Sequence, residues 1–218
     1  NYLDEGDVIK IDPKMNSIRT LFRRSSRHNF FLFTERCNHY CIMCSQPPKN
    51  VQDDWLADDM IQAIPLIDRN AEMIGITGGE PTLLGEKLFL VMKYMKAYLP
   101  NTALHILSNG RLFSDKKFVD EFSSINHSRT TVAIPLYSDV SEEHDYVVQS
   151  KGAFDETIRG ILELKRRNQK VEIRVVVSKA TYKRLPQLAE FIYRNLSFVD
   201  HIALMGLELT GFAKANIN

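Results

Sequence analysis

Apolar, β-branched runs recur along this chain at intervals that suit alternating strands and helices. The stretches between them carry apolar residues at helical spacing, which predicts strand–helix units with a parallel sheet. The strand predictions are residues 29–35, 71–77, 103–108, 130–137, 171–178 and 198–205. The helix predictions are residues 55–68, 86–98, a segment that Ser114 caps and that extends to Ile125, 154–167 and 185–195. Six strands alternating with five helices make an α/β protein.

The predicted sheet has two possible architectures. Apolar runs such as residues 173–177 fit a parallel sheet that helices cover. A doubly wound sheet satisfies the pattern, and so does a curved partial barrel of TIM type. Both place ligands at the carboxyl ends of the strands. Pro65 should kink or shorten the first predicted helix, because proline lacks a backbone N–H donor.

The residues before the first core strand form a separate extension. Segments 7–11 and 17–22 flank a turn-like stretch at 12–16, which predicts a β-hairpin. We therefore divide the chain into an N-terminal extension at 1–28 and a core domain at 29–218. The chain begins with Asn1 rather than methionine, and we expect it to be trimmed at both ends.

Composition narrows the class only slightly. The 218 residues are 44% hydrophobic, which is enough for a real core. The formal net charge is +1, so the net charge of the chain does not attract it to nucleic acid. No apolar run has the length of a membrane span. Reduced thiols without a visible targeting segment predict a cytoplasmic protein.

All three cysteines fall within eight residues, directly after the first predicted core strand. Cys37, Cys41 and Cys44 have the spacing C-x3-C-x2-C. An iron–sulfur cluster in an electron carrier is normally held by four cysteines, so three leave one iron open. An open coordination position binds a small molecule and indicates chemistry rather than a scaffold.

Other interpretations of the cysteines stay open. A structural zinc site could use His39 or His28 as its fourth ligand. Zinc knuckles, however, usually combine two short ligand-bearing segments, and this chain has one. An odd cysteine count is awkward for a disulfide framework. Unliganded thiols are the remaining alternative.

A second candidate motif follows the second strand, at Gly78-Gly79-Glu80-Pro81. Paired glycines allow close backbone approach to a ligand, and the turn carbonyls can accept hydrogen bonds from an amino group. The motif alone is as consistent with a simple turn as with a site. Its place beside the cysteine loop makes it more specific.

Together these motifs resemble the radical S-adenosylmethionine (SAM) superfamily. The resemblance rests on the cysteine loop, the Gly-Gly-Glu-Pro turn, Ser108-Asn109-Gly110 after strand three and Leu136-Tyr137-Ser138 after strand four. It covers residues 29–205 and implies a partial (β/α)6 barrel of TIM type.

The resemblance implies two cofactors, a 4Fe-4S cluster and SAM. Cys37, Cys41 and Cys44 would bind three irons, and the amino and carboxylate groups of SAM would bind the fourth. Reductive cleavage of SAM would give a 5′-deoxyadenosyl radical that abstracts hydrogen from a substrate. A reductant such as flavodoxin or ferredoxin is an implied partner.

By position, the resemblance also implies which residues hold SAM. Gly78, Gly79 and Glu80 would hold the methionine amino group, with Pro81 fixing the turn. Met43 would pack against the adenine. The candidates for the ribose, the methionyl carboxylate or the adenine are Ser108, Asn109, Ser138, Met205 and Gly206.

Arg174 is a charged residue inside an apolar strand, so its burial would require a partner. The carboxylate of SAM is one candidate, because guanidinium matches carboxylate bidentately. An ion pair with a neighbouring Glu or Asp is the equally open alternative.

Longer strings are similar to the radical maturases of His-Xaa-Ser peptide-modification systems. They are residues 26–29, 34–38, 43–49, 144–149 and 205–213. This similarity implies a short ribosomally made peptide with His-Xaa-Ser repeats as substrate, and a second radical SAM enzyme as a partner protein. The alternative is a non-catalytic iron–sulfur or zinc module that docks peptides.

Overall fold

Six parallel strands form the main sheet of the computed structural model, which describes residues 2–216. These strands are β3 (His28–Thr34), β4 (Met73–Gly78), β5 (Ala103–Leu107), β6 (Thr130–Pro135), β7 (Lys170–Val177) and β8 (His201–Gly206). Each strand pairs with the next one along the chain, from β3 to β8. The edge strands β3 and β8 do not pair with each other, so the partial barrel is open on one side. The predicted parallel α/β fold is confirmed.

Seven α-helices connect or follow these strands within the described residues. They are α1 (Trp55–Ala63), α2 (Gly85–Tyr98), α3 (Lys116–Ser124), α4 (Ser141–Val148), α5 (Ala153–Arg166), α6 (Leu185–Asn195) and α7 (Gly211–Asn216). The prediction of five helices was therefore incomplete, because it missed the short helices α4 and α7. No helix in this part of the chain is long and apolar enough to cross a membrane.

Two predicted helix boundaries have specific outcomes. The first helix stops at Ala63, and a 3-10 turn carries Pro65, which confirms that proline shortens it. The assignment of Ser114 as the cap of α3 was wrong. Asp115 caps the helix instead, since its carboxylate accepts a hydrogen bond from the Phe118 backbone N–H at 3.0 Å.

The predicted N-terminal hairpin is confirmed. Strand β1 (Val8–Asp12) pairs antiparallel with β2 (Ser17–Phe22). Lys10 and Arg19 both form ion pairs with Asp59 of α1, and both cations lie over the Trp55 ring, at 5.0 and 4.8 Å from its centroid. These contacts fasten the hairpin to the first helix of the core.

The strands bury one face against the helices and turn the other toward the barrel interior. Ile74, Leu104, Val132 and Ile173 are fully buried in the same cluster as the apolar side chains of the helices. Because side chains alternate along a strand, the residues between them face the interior. The loops at the carboxyl ends of the strands form the upper rim of this interior, where the candidate site lies.

Candidate functional site

The cysteine loop follows β3 and is held in place by backbone hydrogen bonds to two helices. Tyr40 N–H donates to the Val148 carbonyl at 3.1 Å, and Ile42 N–H donates to the Val147 carbonyl at 2.9 Å. Phe212 of α7 donates its N–H to the Cys44 carbonyl at 2.8 Å. The helices α4 and α7, which the sequence analysis missed, therefore set the shape of this loop.

A cavity of about 200 Å³ lies between the cysteine loop and the carboxyl ends of the strands. Nine of the candidate residues line it: Cys37, Cys41, Cys44, Gly78, Gly79, Ser108, Asn109, Arg174 and Met205. The sequence motifs, which are spread from residue 37 to residue 205, thus meet around one space. A larger apolar groove lies elsewhere, between α6 and β8, and contains no candidate residue.

The three thiols are free, and burial keeps them in the neutral form. Burial raises the pKa of Cys37 to about 11 and that of Cys41 to about 12, and it also raises the pKa of Cys44. A bound metal reverses this preference, because a coordinating thiol is deprotonated outright. Cysteine sulfurs are soft ligands of the kind that iron–sulfur clusters use, so three cysteines in a shared pocket fit such a cluster.

The same arrangement bears on the zinc alternative. Among residues 2–216, no three His, Cys, Asp or Glu side chains converge closely enough to hold a single metal ion. A zinc site needs four ligands within about 2.0 to 2.3 Å of one point. A cluster instead binds each cysteine to a separate iron, so its ligands stand farther apart. Three separate thiol donors are the set that a four-iron cluster with one open iron requires.

The Gly78-Gly79 turn approaches the beginning of the cysteine loop too closely for any side chain. Gly79 N–H donates to the Thr34 carbonyl at 2.7 Å, and Glu80 N–H donates to the Arg36 carbonyl at 2.8 Å. A Cβ atom on Gly79 would lie 2.0 Å from the Arg36 carbonyl oxygen. Gly78 has a φ of 127°, a conformation that glycine adopts readily. Glycine is thus required at both positions for the close contact between this turn and the cysteine loop.

The carboxylate of Glu80 bonds to its own turn and to the third motif, and its expected contact with the SAM amino group stays a prediction. Its carboxylate is buried and does not line the cavity. One oxygen accepts hydrogen bonds from Thr82 N–H, Thr82 Oγ1 and Ser108 Oγ at 3.0, 2.6 and 2.8 Å. The other oxygen accepts from Asn109 N–H at 2.6 Å. Burial raises the pKa of this carboxyl, while the four donors oppose that shift. Glu80 therefore ties the second motif to the third.

Asn109 and Arg111 connect the third motif to the cysteine loop. The Asn109 side-chain amide donates to Asn38 Oδ1 at 2.6 Å. Arg111 donates to the Asn38 carbonyl at 3.4 Å and to Ser150 Oγ at 2.8 Å, and it forms an ion pair with Glu156 at 2.5 Å. Neither Asn38 nor Arg111 was predicted to belong to the site, although Asn38 follows the first cysteine directly. Their role depends on contacts between distant segments, which spacing does not reveal.

Arg174 lies at the cavity with an acidic neighbour. Its Nε is 3.4 Å from Glu172 Oε1, which matches the open alternative of an ion pair. Its Nη2 is 2.7 Å from the thioether sulfur of Met205. Because a thioether is a weak acceptor, this end of the guanidinium remains available for a stronger one.

The remaining candidates lie outside the cavity lining. Met43 is buried in a small apolar cluster with Tyr137, Val147 and Ala213. Ser138 donates its hydroxyl to Glu143 at 2.9 Å. Pro81 begins a 3-10 turn, and a Cβ atom added to Gly206 would meet no heavy atom within 4 Å among the described residues. Their expected contacts with SAM stay predictions.

His39 is a cavity residue that the sequence analysis considered only as a zinc ligand. It is 3% exposed and its Nε2 has no hydrogen-bond partner among the described residues. Burial lowers its pKa to about 3, so its imidazole is neutral near pH 7. Its position between two cysteines of the loop was the available signal.

Comparison with known proteins identifies the class. The Radical SAM superfamily model matches residues 31–192. The chain is 24% identical over 164 residues to an Fe-coproporphyrin III synthase of Methanosarcina barkeri, covering 73% of this chain and 39% of that protein. It is 28% identical over 153 residues to a GTP 3′,8-cyclase of Campylobacter jejuni subsp. doylei, covering 67% and 45%. The chain thus spans less than half the length of these curated relatives.

Solved structures share the fold. SuiB of Streptococcus suis bound to SAM superposes with a TM-score of 0.70 at 19% identity, covering 91% of this chain and 44% of that one. The enzyme anSMEcpe with bound SAM and the Cp18Cys peptide gives 0.62 at 16% identity, covering 82% and 50%.

The chain belongs to the radical SAM superfamily. Members of this family use a 4Fe-4S cluster and SAM. The predicted cofactors are therefore those of the family.

Proposed function

We propose that this protein is a radical SAM enzyme that cleaves SAM reductively and modifies a ribosomally made peptide of the His-Xaa-Ser type. The observation that supports this proposal is the single cavity at which three thiols, a glycine turn and an arginine meet. A bound cluster would supply an electron and SAM would supply the radical precursor, while the protein would provide position and exclusion of water.

The residues of the chain divide these tasks. Cys37, Cys41 and Cys44 would ligate the cluster through their thiolates. The backbone at Gly78 and Gly79 would hold the methionine amino group, since these residues line the cavity next to the cysteine loop. Arg174 would hold the methionyl carboxylate. Apolar walls such as Leu107 and Val176 would keep water from the reacting groups.

The peptide substrate is the finer part of the proposal. It is supported by the strings that resemble His-Xaa-Ser maturases and by the likeness to a solved structure that holds both SAM and a peptide. A reductant of the flavodoxin or ferredoxin type and a second radical SAM protein are the proposed partners, in the cytoplasm. The curated relatives named above act on other substrates, so the peptide requires a direct test.

The test is electron paramagnetic resonance on anaerobically reconstituted, dithionite-reduced protein, with and without SAM. We expect a reduced four-iron signal that changes shape when SAM is added, because SAM would bind the open iron. The Cys41→Ala variant should lose the iron and the signal while its barrel stays folded by circular dichroism. A wild-type signal that ignores SAM would contradict the proposal and favour a non-catalytic module.

The substrate is tested separately by mass spectrometry. A synthetic peptide with three His-Ala-Ser repeats is incubated with reduced enzyme and SAM, and a matched peptide carries alanine in place of histidine. We expect 5′-deoxyadenosine and a mass change in the first peptide alone. Formation of 5′-deoxyadenosine with no change in either peptide would reject the peptide class and leave the radical SAM activity intact.

A further inference from the structure

Three polar side chains lie on the inner face of the barrel, below the candidate cavity. They are His105 on β5 and Glu172 and Arg174 on β7. Glu172 pairs in register with Ala133 of β6, and Arg174 pairs with Pro135, which lies closer to the carboxyl end. Only Arg174 of the three lines the cavity. The trio therefore extends from the cavity down into the barrel.

Glu172 is placed between the two basic side chains. Glu172 Oε1 is 3.4 Å from Arg174 Nε, and Glu172 Oε2 is 3.3 Å from His105 Nε2. Both nitrogens are buried, and neither is aligned for a hydrogen bond to any described residue. Burial lowers the pKa of His105, so its imidazole is neutral near pH 7. Glu172 and Arg174 thus form the charged pair, with His105 as a polar neighbour.

The burial of this trio is not explained by packing. The side chains of His105, Glu172 and Arg174 are only 20%, 14% and 25% exposed. Charged groups in an interior are costly, and replacement by apolar residues is often neutral or stabilising. Buried nitrogens without aligned partners call for a specific reason.

We propose that Glu172 is a positioning residue that directs the Arg174 guanidinium toward the methionyl carboxylate of SAM. This inference rests on the proposed function. Glu172 lies at the Nε edge of the guanidinium, while Nη2 reaches up to the Met205 sulfur. A carboxylate in the cavity is a much stronger acceptor than that thioether, and charge-assisted bonds to it are short and strong.

The test compares two ligands on anaerobically reconstituted protein by equilibrium binding. S-adenosylhomocysteine carries the amino-acid end that Arg174 would bind. 5′-Methylthioadenosine has the same adenosine and thioether without that end. Glu172→Gln should weaken binding of S-adenosylhomocysteine roughly tenfold, which corresponds to about 1.4 kcal/mol, and should leave binding of 5′-methylthioadenosine unchanged.

A double-mutant cycle separates positioning from general stability. In an Arg174→Gln background, Glu172→Gln should cause no further loss of S-adenosylhomocysteine affinity, because the two residues act as a unit. Thr131→Ala is the matched control, since Thr131 lies beside His105 in register and makes no side-chain hydrogen bond or ion pair among the described residues. It should bind both ligands as the wild type does.

Three results would overturn the inference. Equal weakening of both ligands by Glu172→Gln would indicate a structural role, and unchanged binding of both would indicate no role. Failure of the wild-type protein to bind S-adenosylhomocysteine at all would overturn the proposed function as well, so the two failures are distinguishable.

Discussion

The carboxylate of Glu80 offers a sharp test, because its hydrogen bonds within the protein and its expected contact with SAM predict different effects of a substitution. The resemblance places it against the amino group of SAM. The structure surrounds it with four donors from Thr82, Ser108 and Asn109. The substitution Glu80→Gln keeps the size of the side chain and changes one oxygen to an amide nitrogen.

The expected cost follows from which oxygen is lost. Oε1 accepts three of the four hydrogen bonds, and the glutamine oxygen can replace it there. The amide nitrogen then faces the Asn109 N–H, so a buried donor loses its acceptor, which costs about 1 to 3 kcal/mol. Removal of a fully buried charge offsets part of this cost. We expect a net loss of about 2 kcal/mol in the free energy of unfolding, or about 4 to 8 °C in Tm.

The assay is urea unfolding of the cluster-free protein, followed by circular dichroism, at pH 7. Glu121→Gln is the matched control, since Glu121 is an exposed carboxylate on α3 without an ion pair among the described residues. It should change the free energy of unfolding by less than about 0.5 kcal/mol. The same variants are then reconstituted and tested for SAM affinity.

One pattern would refute this reasoning. If Glu80→Gln unfolds like the wild type but loses SAM affinity, the carboxylate reaches the cofactor. The hydrogen bonds to Thr82, Ser108 and Asn109 would then not be its main role.

Three further predictions concern other parts of the molecule. Burial holds the pKa of His144 at about 4, below its ordinary 6.5, so its stabilising contribution is present above pH 6.5 and is lost as pH falls toward 4. Denaturant titrations of the wild type across that range should show a falling free energy of unfolding. In His144→Asn this fall should be smaller by about 3 kcal/mol, and an equal fall in the wild type and the variant would reject the assignment to His144. Asp59→Asn removes the carboxylate that Lys10 and Arg19 of the hairpin share, and it should lower the free energy of unfolding by about 1 to 2 kcal/mol. The loosened hairpin should be cleaved faster by trypsin at Lys14, and an unchanged cleavage rate would contradict this prediction. Gly79→Ala pushes a Cβ onto the Arg36 carbonyl and should reduce iron content after reconstitution, whereas full iron loading would show that the turn can shift.

The positions of the strands and of most helices were accessible to sequence reasoning because they depend on local periodicity. Apolar runs marked each core strand to within about three residues, and Pro65 ended α1 as its missing donor predicts. The cysteine spacing and the glycine pair could also be recognised from the sequence alone. Both signals come from residues that are close in sequence.

Contacts between residues distant in sequence could not be predicted from spacing. The hydrogen bond from Ser108 to Glu80, for example, joins residues that are 28 positions apart. Helix α4 was missed because it is only eight residues long and opens with polar side chains. Ser114 and Asp115 are both good caps by type, and only the observed hydrogen bond distinguishes them.

The backbone bonds from Tyr40, Ile42 and Cys44 to the helices α4 and α7 have a consequence for assembly of the metal centre. Small zinc domains fold only when their metal arrives, because nothing else defines the ligand geometry. Here the loop is already defined by main-chain contacts, so cluster insertion and chain folding are separable events. Transplanting the cysteine motif into another scaffold would accordingly require both helices to go with it.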